Sequence, residues 1–499
     1  MKTSTKRMKL GGIALAAAVA VSMTLGGTSA SAANSDATID IGSLHEVQNL
    51  DNTANGGAGL TEAFNGNVYE GLFKLTDTGK VENLLAKTYR KSSDGLTYTF
   101  TLRDGVKFHS GKALTSADVK YSLEKVTAAA SQSPQKGALS IITSIQTPNP
   151  KTVVVTLSSK SISFVYNLTY VWIVNSAIKD MTSTEDGTGP YKYTAWTRGA
   201  TISMTRFDGY WGAPAKNKVV VFHEFTDGTA LNNALLSHAV DIITSEGNPD
   251  ALAQFKNANF KITNGLSTNK QLIIFNDKAT PFNKALVRKA VTSAIDKKKL
   301  LSSIWGDYGT VLTSIMTPID PGYEDLSSVN PYDLNLAKSE LAKAGYPKGF
   351  TFTLDTPNDD PHPAAAAFIQ SSLAQIGITM KINIITTSQW FDKIYKKQDY
   401  TATIQNVLSG RNIGWYGNPN FFWLYNNPRV TALINQSELA NTAGAQAELL
   451  KRANRLVVAD AASDWLYLYP LIVVSSSSLS GYPVNGINSQ FFVYNITKN

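Results

Sequence analysis

Histidine and cysteine carry much of the metal-binding and nucleophilic chemistry of proteins, and this chain of 499 residues has few of the first and none of the second. The five histidines stand at positions 45, 109, 223, 238 and 362, and no two have the His-x3-His spacing that places two metal ligands on one helix face. Without cysteine, a thiolate zinc site, a cysteine-held iron–sulfur cluster, a disulfide framework and a cysteine nucleophile are excluded. We therefore expect no metal ion and no other cofactor.

The glycine-rich and acidic segments do not fit catalytic motifs either. Residues 105–113 have one residue too many for a phosphate-binding loop and end in Lys112-Ala113 rather than Lys-Ser or Lys-Thr. Neither the Gly-x-Ser-x-Gly elbow of acyl hydrolases nor the Gly-x-Gly-x-x-Gly of dinucleotide binding occurs. Residues 358–362, NDDPH, are interpreted as a solvated turn rather than a metal site. Because 38 acids allow many spatial pairs, a secreted hydrolase that uses two carboxylates stays open as the less favoured alternative.

The N-terminal segment has the three parts of a secretory signal peptide. Four basic residues within the first nine precede an apolar stretch over residues 10–25, and Ala30-Ser31-Ala32 forms a small-residue cleavage site. The stretch is shorter than the roughly 20 residues of a membrane-spanning helix and is interrupted by glycine, serine and threonine. We therefore predict a signal peptide over residues 1–32 and an exported protein, periplasmic or extracellular. Without a cysteine at the cleavage site, no lipid anchor is expected.

The formal charge of +8 is weaker evidence for an acidic partner than its size suggests. Four of the basic residues lie in the predicted signal peptide, and the others are dispersed along the chain. No basic stripe with interleaved aromatic residues occurs, so no nucleic-acid partner is expected.

The periodicity of the apolar residues predicts helices and strands that alternate along the chain. Thr115 and Asp118 form a capping-box pattern that predicts the start of a helix running to residue 126. Such alternation is typical of the α/β class. The apolar patterns predict strands at 98–102, where alternation is strict, and at 152–157, 350–354 and 380–384. Helical spacing predicts helices at 61–73, 282–305, 334–344, 363–377 and 445–459.

A long motif in the first third of the chain carries a family resemblance. Residues 84–126 read LLAKTYRKSSDGLTYTFTLRDGVKFHSGKALTSADVKYSLEKV. Shorter motifs follow in order: GTGPY at 187–191, GYWG at 209–212, VRKA at 287–290, AID at 294–296 and AGYPKGF at 344–350. Together they resemble the signature of family 5 extracellular solute-binding proteins, the binding components of peptide and nickel ABC importers. The resemblance covers residues 37–499.

The resemblance implies a periplasmic-binding-protein-like fold of type II, with two main lobes joined by a hinge and an extra small lobe. Lobe I would combine residues 33–71, 188–262 and 472–499, the small lobe II would take 72–187, and lobe III would take 263–471. It also implies a monomer without catalytic activity. Such a protein captures a solute by closing its cleft and delivers the solute to an ABC permease in the membrane.

The segment that holds the ligand's amino group in peptide-binding relatives differs in this chain. There, an aspartate lies in a Trp-x-Ala-Asp-Tyr-Pro-Asp-Pro-like segment of lobe III, which resembles residues 414–422, GWYGNPNFF, and no aspartate stands among these residues. Burying an ammonium group without a carboxylate is costly. The family position predicts ligand contacts from the aromatic and amide side chains of Trp415, Tyr416, Asn418 and Phe421, whereas Phe422 and Trp423 are expected in the lobe interior.

His45 and Glu46, which follow the first predicted strand, are further candidates for ligand binding. Glu46 is the candidate to replace the missing carboxylate. The nature of the ligand stays open between an oligopeptide or peptide-like solute and a neutral oligosaccharide or other non-peptide solute. A nickel chelate is disfavoured because histidines are sparse.

Overall fold

The chain folds into a mixed α/β structure built around one large sheet. The computed structural model describes residues 36–54, 56–487 and 490–499, so the predicted signal peptide lies outside the described residues. Eleven strands form this main sheet, and ten of them follow one continuous order. From edge to edge these are Thr379–Ile385, Thr351–Pro357, Ala402–Val407, Phe260–Phe275, Ser463–Ser476, Ile242–Ile243, Thr38–Ser43, Val219–Glu224, Thr201–Arg206 and Tyr191–Thr197, with Thr310–Val311 pairing beside Ser463–Ser476.

A second, four-stranded antiparallel sheet lies in the segment predicted as the small lobe. Its order is Ala86–Lys91, Thr97–Leu102, Thr152–Leu157 and Ile142–Asn149, which includes two strands predicted from alternation. The helix Ser116–Thr127 packs on this sheet and begins with the predicted capping box of Thr115 and Asp118. Two short pairs complete the strands: Phe73–Leu75 with Val81–Asn83, and Leu479–Ser480 with Thr497–Lys498.

Most of the predicted helices are present in the structure, but two of them, 61–73 and 282–305, differ from the prediction. The predicted helix 61–73 ends at Phe64, because Gly66 adopts a positive φ of 73° and Phe73 begins a strand. The predicted helix 282–305 is two helices, because Ile295 is extended and the Asp296 side chain caps the second one by accepting the Lys299 N–H at 3.1 Å. The α-helices are Gly57–Phe64, Ser116–Thr127, Lys136–Leu139, Phe164–Asn167, Gly228–Leu236, Ala285–Ala294, Lys297–Trp305, Leu334–Lys343, His362–Ala374, Thr387–Trp390, Pro428–Glu438 and Ala443–Ala459.

The main sheet has a hydrophobic core on each face in the region predicted as lobe III. Alternate residues of one strand enter different cores: Ile273 and Phe275 enter one, and Leu272 and Ile274 the other. Separate cores occur around the first strand and around the four-stranded sheet. Two of these cores cross the predicted bounds: the one with Ile273 also contains Leu231 and Phe255, and the one around the first strand also contains Trp172. The bounds of the three lobes stay a prediction. Within the described part of the chain, no helix is long and apolar enough to cross a membrane.

A group of contacts outside the connecting strands joins the predicted small lobe to the predicted lobe III, and we call it the clasp. The Glu438 carboxylate accepts hydrogen bonds from Ser161 Oγ at 2.8 Å and Ser163 Oγ at 2.7 Å, and its backbone carbonyl accepts the Ile162 N–H at 2.9 Å. Beside it, the Arg411 guanidinium lies 3.6 Å from the ring centre of Tyr166. Both ends of the predicted small lobe continue into segments predicted as lobe I, so with these bounds the clasp connects the two main lobes indirectly.

Candidate functional site

A break in strand pairing between Leu266 and Lys270 lies within a few residues of the predicted junction of the two main lobes. The two long antiparallel strands Phe260–Phe275 and Ser463–Ser476 pass from one lobe to the other. Leu266 pairs with Pro470, and the next pair is Lys270 with Leu468, so residues 267–269 face Tyr469 alone and form a bulge. Pro470 has no N–H to donate to the ladder. A bulge bends the strand and redirects its side chains.

A cavity of about 220 Å³ opens at this bulge. The bulge residues Ser267, Thr268 and Asn269 form one side, and Tyr469 and Pro470 come from the facing strand. The segments predicted as lobe I contribute His45, Glu62, Glu246 and Phe491, and the segment predicted as lobe III contributes Trp305, Asp360 and Leu408. The wall therefore combines segments predicted for both main lobes.

The bulge is held in place by a buried lysine. Lys270 is fully buried, and its Nζ donates hydrogen bonds to the carbonyl of Thr268 at 2.8 Å, the carbonyl of Ser409 at 2.6 Å and Asn412 Oδ1 at 2.9 Å. Burial lowers the pKa of Lys270 to about 8. The amine thus ties the bulge to the loop after the strand Ala402–Val407, whose Leu408 also lines the cavity.

A histidine–glutamate pair forms part of the lobe I wall. His45 Nδ1 lies 3.3 Å from Glu62 Oε2, which also accepts the Ser43 hydroxyl at 2.5 Å. The buried Glu62 carboxylate raises the pKa of His45 above its usual 6.5, chiefly by charge attraction. The pair therefore stabilises the folded state below pH 6.5, and this contribution is lost as the pH rises through the folded-state pKa.

We expect an NMR titration of the His45 ring to give a pKa above 6.5, and Glu62→Gln to lower it, because the substitution removes the negative charge beside Nδ1. Glu46→Gln is the control, since Glu46 is exposed and does not line the cavity. A His45 pKa that is the same in wild type and Glu62→Gln would contradict the pairing.

The family model for bacterial extracellular solute-binding proteins, family 5 (middle), matches residues 80–431. The chain belongs to this family. The membership confirms the resemblance of the sequence motifs, and it places the protein among solute-binding proteins.

Relatives of this family 5 protein match it along most of its length. Glutathione-binding protein GsiB of Salmonella paratyphi A is 28% identical over 451 residues, which cover 85% of this chain and 87% of the relative. The structure of the ABC transporter-associated periplasmic binding protein DppA from Helicobacter pylori with the peptide STSA has a TM-score of 0.78 at 23% identity, covering 93% of this chain and 98% of that one. AgaA from A. tumefaciens R10 with agropinic acid has a TM-score of 0.77 at 25% identity, covering 93% and 99%. These likenesses confirm the predicted fold class.

The segment predicted from the family to contact the ligand lies apart from the cavity wall of this solute-binding protein. The chain turns back at Arg411, which has a positive φ of 56°, and the following residues pack on one face of the main sheet. Tyr416 is fully buried and donates its hydroxyl to Ser463 Oγ at 2.8 Å. None of Trp415, Tyr416, Asn418 and Phe421 lines the cavity at the bulge, so their ligand contact stays a prediction. The burial predicted for Phe422 and Trp423 is confirmed.

The two candidate residues after the first strand, His45 and Glu46, differ in their position relative to the cavity. His45 lines the cavity, whereas Glu46 does not. The carboxylates in the wall are Glu62, Glu246 and Asp360, which sequence reasoning missed. Glu62 follows from the helix Gly57–Phe64 and Glu246 from the loop after Ile242–Ile243, and neither stands in a motif. Among the described residues, no group of three or more histidine or acidic side chains is arranged to hold a metal ion.

Proposed function

We propose that this protein captures a small peptide-like solute in the cavity at the bulge and delivers it to an ABC permease. The observation that carries the proposal is the cavity wall, which draws on both main lobes where two strands connect them. The names of the relatives support a peptide-like ligand, since one binds glutathione and another was solved with a peptide. We further propose that the protein acts outside the membrane as a monomer after removal of residues 1–32.

Capture would work by closure of the two main lobes around the solute. A ligand in the cavity contacts lobe I and lobe III together only when the lobes are close, so it binds the closed state more tightly and shifts the population toward it. The volume of about 220 Å³ lies below the about 300–1,000 Å³ typical of ligand pockets, which favours a short peptide over a long one. A neutral oligosaccharide has less support, because three of the lining residues are acids.

Native mass spectrometry of the gently purified mature protein tests the proposal. We expect co-purifying masses in the range of short peptides or peptide-like solutes, and a smaller radius of gyration by X-ray scattering when such a solute is added. Ala58→Trp should abolish capture because Ala58 lines the cavity and a tryptophan would fill it. The control Ala445→Trp changes an exposed helix position in lobe III and should leave capture intact. Capture that survives Ala58→Trp, or an absence of any captured solute, would reject the proposed site.

The clasp gives a prediction about closure. Glu438→Ala removes hydrogen bonds from Ser161 and Ser163 that join the small lobe to lobe III, each with a net contribution of about 0.5–1.5 kcal/mol. We expect the Kd for the captured solute to rise by about tenfold, because the closed state loses these bonds while the cavity wall is unchanged. Calorimetry measures this effect. Glu448→Ala, at an exposed position of the neighbouring helix, is the control. An unchanged Kd in Glu438→Ala would mean that the clasp does not contribute to closure.

A further inference from the structure

The cavity at the bulge has an unbalanced set of charges. Its titratable lining residues are His45, Glu62, Glu246, Asp360 and the phenol of Tyr469, and no lysine or arginine of the described chain lines it. Glu62 is occupied by His45 and Ser43, so its charge is already compensated within the wall. Two carboxylates, those of Glu246 and Asp360, have no basic side chain opposite them in the wall.

Glu246 is the buried one of the two. Only 3% of the residue is exposed, and its Oε1 accepts the Asn248 N–H at 2.7 Å. Oε2 is buried and accepts no hydrogen bond of ordinary geometry from the described residues. Burial raises the pKa of Glu246, and the Asn248 N–H, the side chain of Asn232 and the Gly247 N–H offset this rise only in part. A buried carboxylate in this condition is stabilised by an added donor, above all a charged one.

The bulge supplies a second acceptor without a partner. Asn269 Oδ1 is buried and accepts no hydrogen bond from the described residues, although Asn269 lines the cavity. Its backbone N–H is held by Ser267 Oγ at 3.2 Å, which fixes the residue within the bulge. Asp360, by contrast, is exposed and enters the wall from lobe III.

We infer that the solute presents a cationic amino group to Glu246, with Asn269 Oδ1 and the Asp360 carboxylate as further acceptors. The inference rests on the proposed function and names its substrate class, which is small solutes with a free primary amine. An ammonium group has three N–H donors, so it can satisfy a carboxylate and an amide oxygen at once. Residues 414–422 lack the aspartate that binds the amino group in peptide-binding relatives. In this chain Glu246, and Asp360 in the loop after Thr351–Pro357, would supply that negative charge. An acetylated amine lacks both the charge and two of the donors.

The test compares two ligand pools on the full mature protein. One pool is a mixed tripeptide library with free amino termini, and the other is the same library after N-acetylation of every free amine. Native mass spectrometry counts the fraction of protein that carries a ligand from each pool. We expect the free-amine pool to be retained at least tenfold better. Glu246→Gln, which keeps the side chain's size, should reduce that retention by about tenfold. Glu448→Gln, at an exposed position of the helix Ala443–Ala459 and outside the wall, should change nothing.

Each outcome separates the inference from the proposed function. Equal retention of both pools, abolished by Ala58→Trp, would overturn the inference and leave the proposed function standing. Retention of neither pool would overturn both. Because Glu246→Gln could disturb folding, Asp360→Asn is the second variant: Asp360 is exposed, and its loss should reduce retention of the free-amine pool alone. If Glu246→Gln and Asp360→Asn both retain the two pools to the same extent as the wild-type protein, the inference is overturned.

Discussion

Replacing Arg288 with methionine is expected to destabilise the protein by about 3–5 kcal/mol, because it breaks a buried ion pair and leaves its partners unsatisfied. Arg288 is 6% exposed, and its guanidinium donates to the carbonyls of Phe282 at 2.7 Å, Asp460 at 2.9 Å and Ala461 at 3.0 Å. It also lies 3.4 Å from the buried carboxylate of Asp277. Burial raises the pKa of Asp277, and Arg288 opposes that rise. Without Arg288, the carboxyl group must protonate or stay charged without a partner.

Urea unfolding followed by tryptophan fluorescence measures the effect of Arg288→Met. Lys298→Met is the matched control, because it removes one positive charge from an exposed site in the next helix and should shift stability by less than about 0.5 kcal/mol. If Arg288→Met unfolds within about 1 kcal/mol of wild type, the three carbonyls and Asp277 find other partners, and the argument from burial is wrong.

Ionisation of Glu70 should reduce the stability of the protein as the pH rises from 4.5 to about 7. Glu70 is 2% exposed, and burial raises the pKa of its carboxyl to about 7, although Thr188, Tyr210 and Trp211 donate hydrogen bonds to it. The unfolded chain releases this proton near pH 4.5, before the folded chain does. Between these values the folded state binds more protons, so its stability declines with pH by about 3 kcal/mol in all.

Glu70→Gln removes the titration and keeps the shape of the side chain. Its free energy of unfolding, measured from pH 4 to pH 8, should therefore fall by about 3 kcal/mol less than that of wild type over this range. The exposed Glu448→Gln is the control and should follow the wild-type curve. Parallel curves for wild type and Glu70→Gln would mean that Glu70 ionises as easily in the folded protein as in the unfolded chain.

Local patterns predicted the elements well where one short stretch of sequence determines the structure. Alternation over residues 152–157 gave the bounds of a strand, and the Thr115–Asp118 pattern gave the start of a helix with its capping box. The break before Lys297 was missed because apolar spacing continues through it, although Asp296 is a good helix cap. The family, and with it the fold class, was identified from motifs that build the lobes.

The candidate site was predicted only at His45. The wall depends on pairing between strands about 200 residues apart, which makes the bulge at 267–269 invisible in the sequence. Glu62 and Glu246 are single acids outside any motif, and their significance comes from burial and from the partners they have or lack. Residues 414–422 show the limit of transfer from a family: the chain after Arg411 packs on the sheet face, away from the cavity at the bulge.

The bulge also determines what kind of motion the lobes can make. Residues 260–266 and 270–274 stay hydrogen-bonded to the same neighbouring strand on both sides of the bulge, so sliding would break many pairs, whereas bending at 267–269 breaks few. Opening should therefore be a rotation about this point, with an axis that crosses the strands. Amide hydrogens on both flanks would then exchange slowly with deuterated solvent whether or not solute is bound. Exchange at Thr268 and Asn269 would slow on capture, because closure shields the one place where the ladder is interrupted.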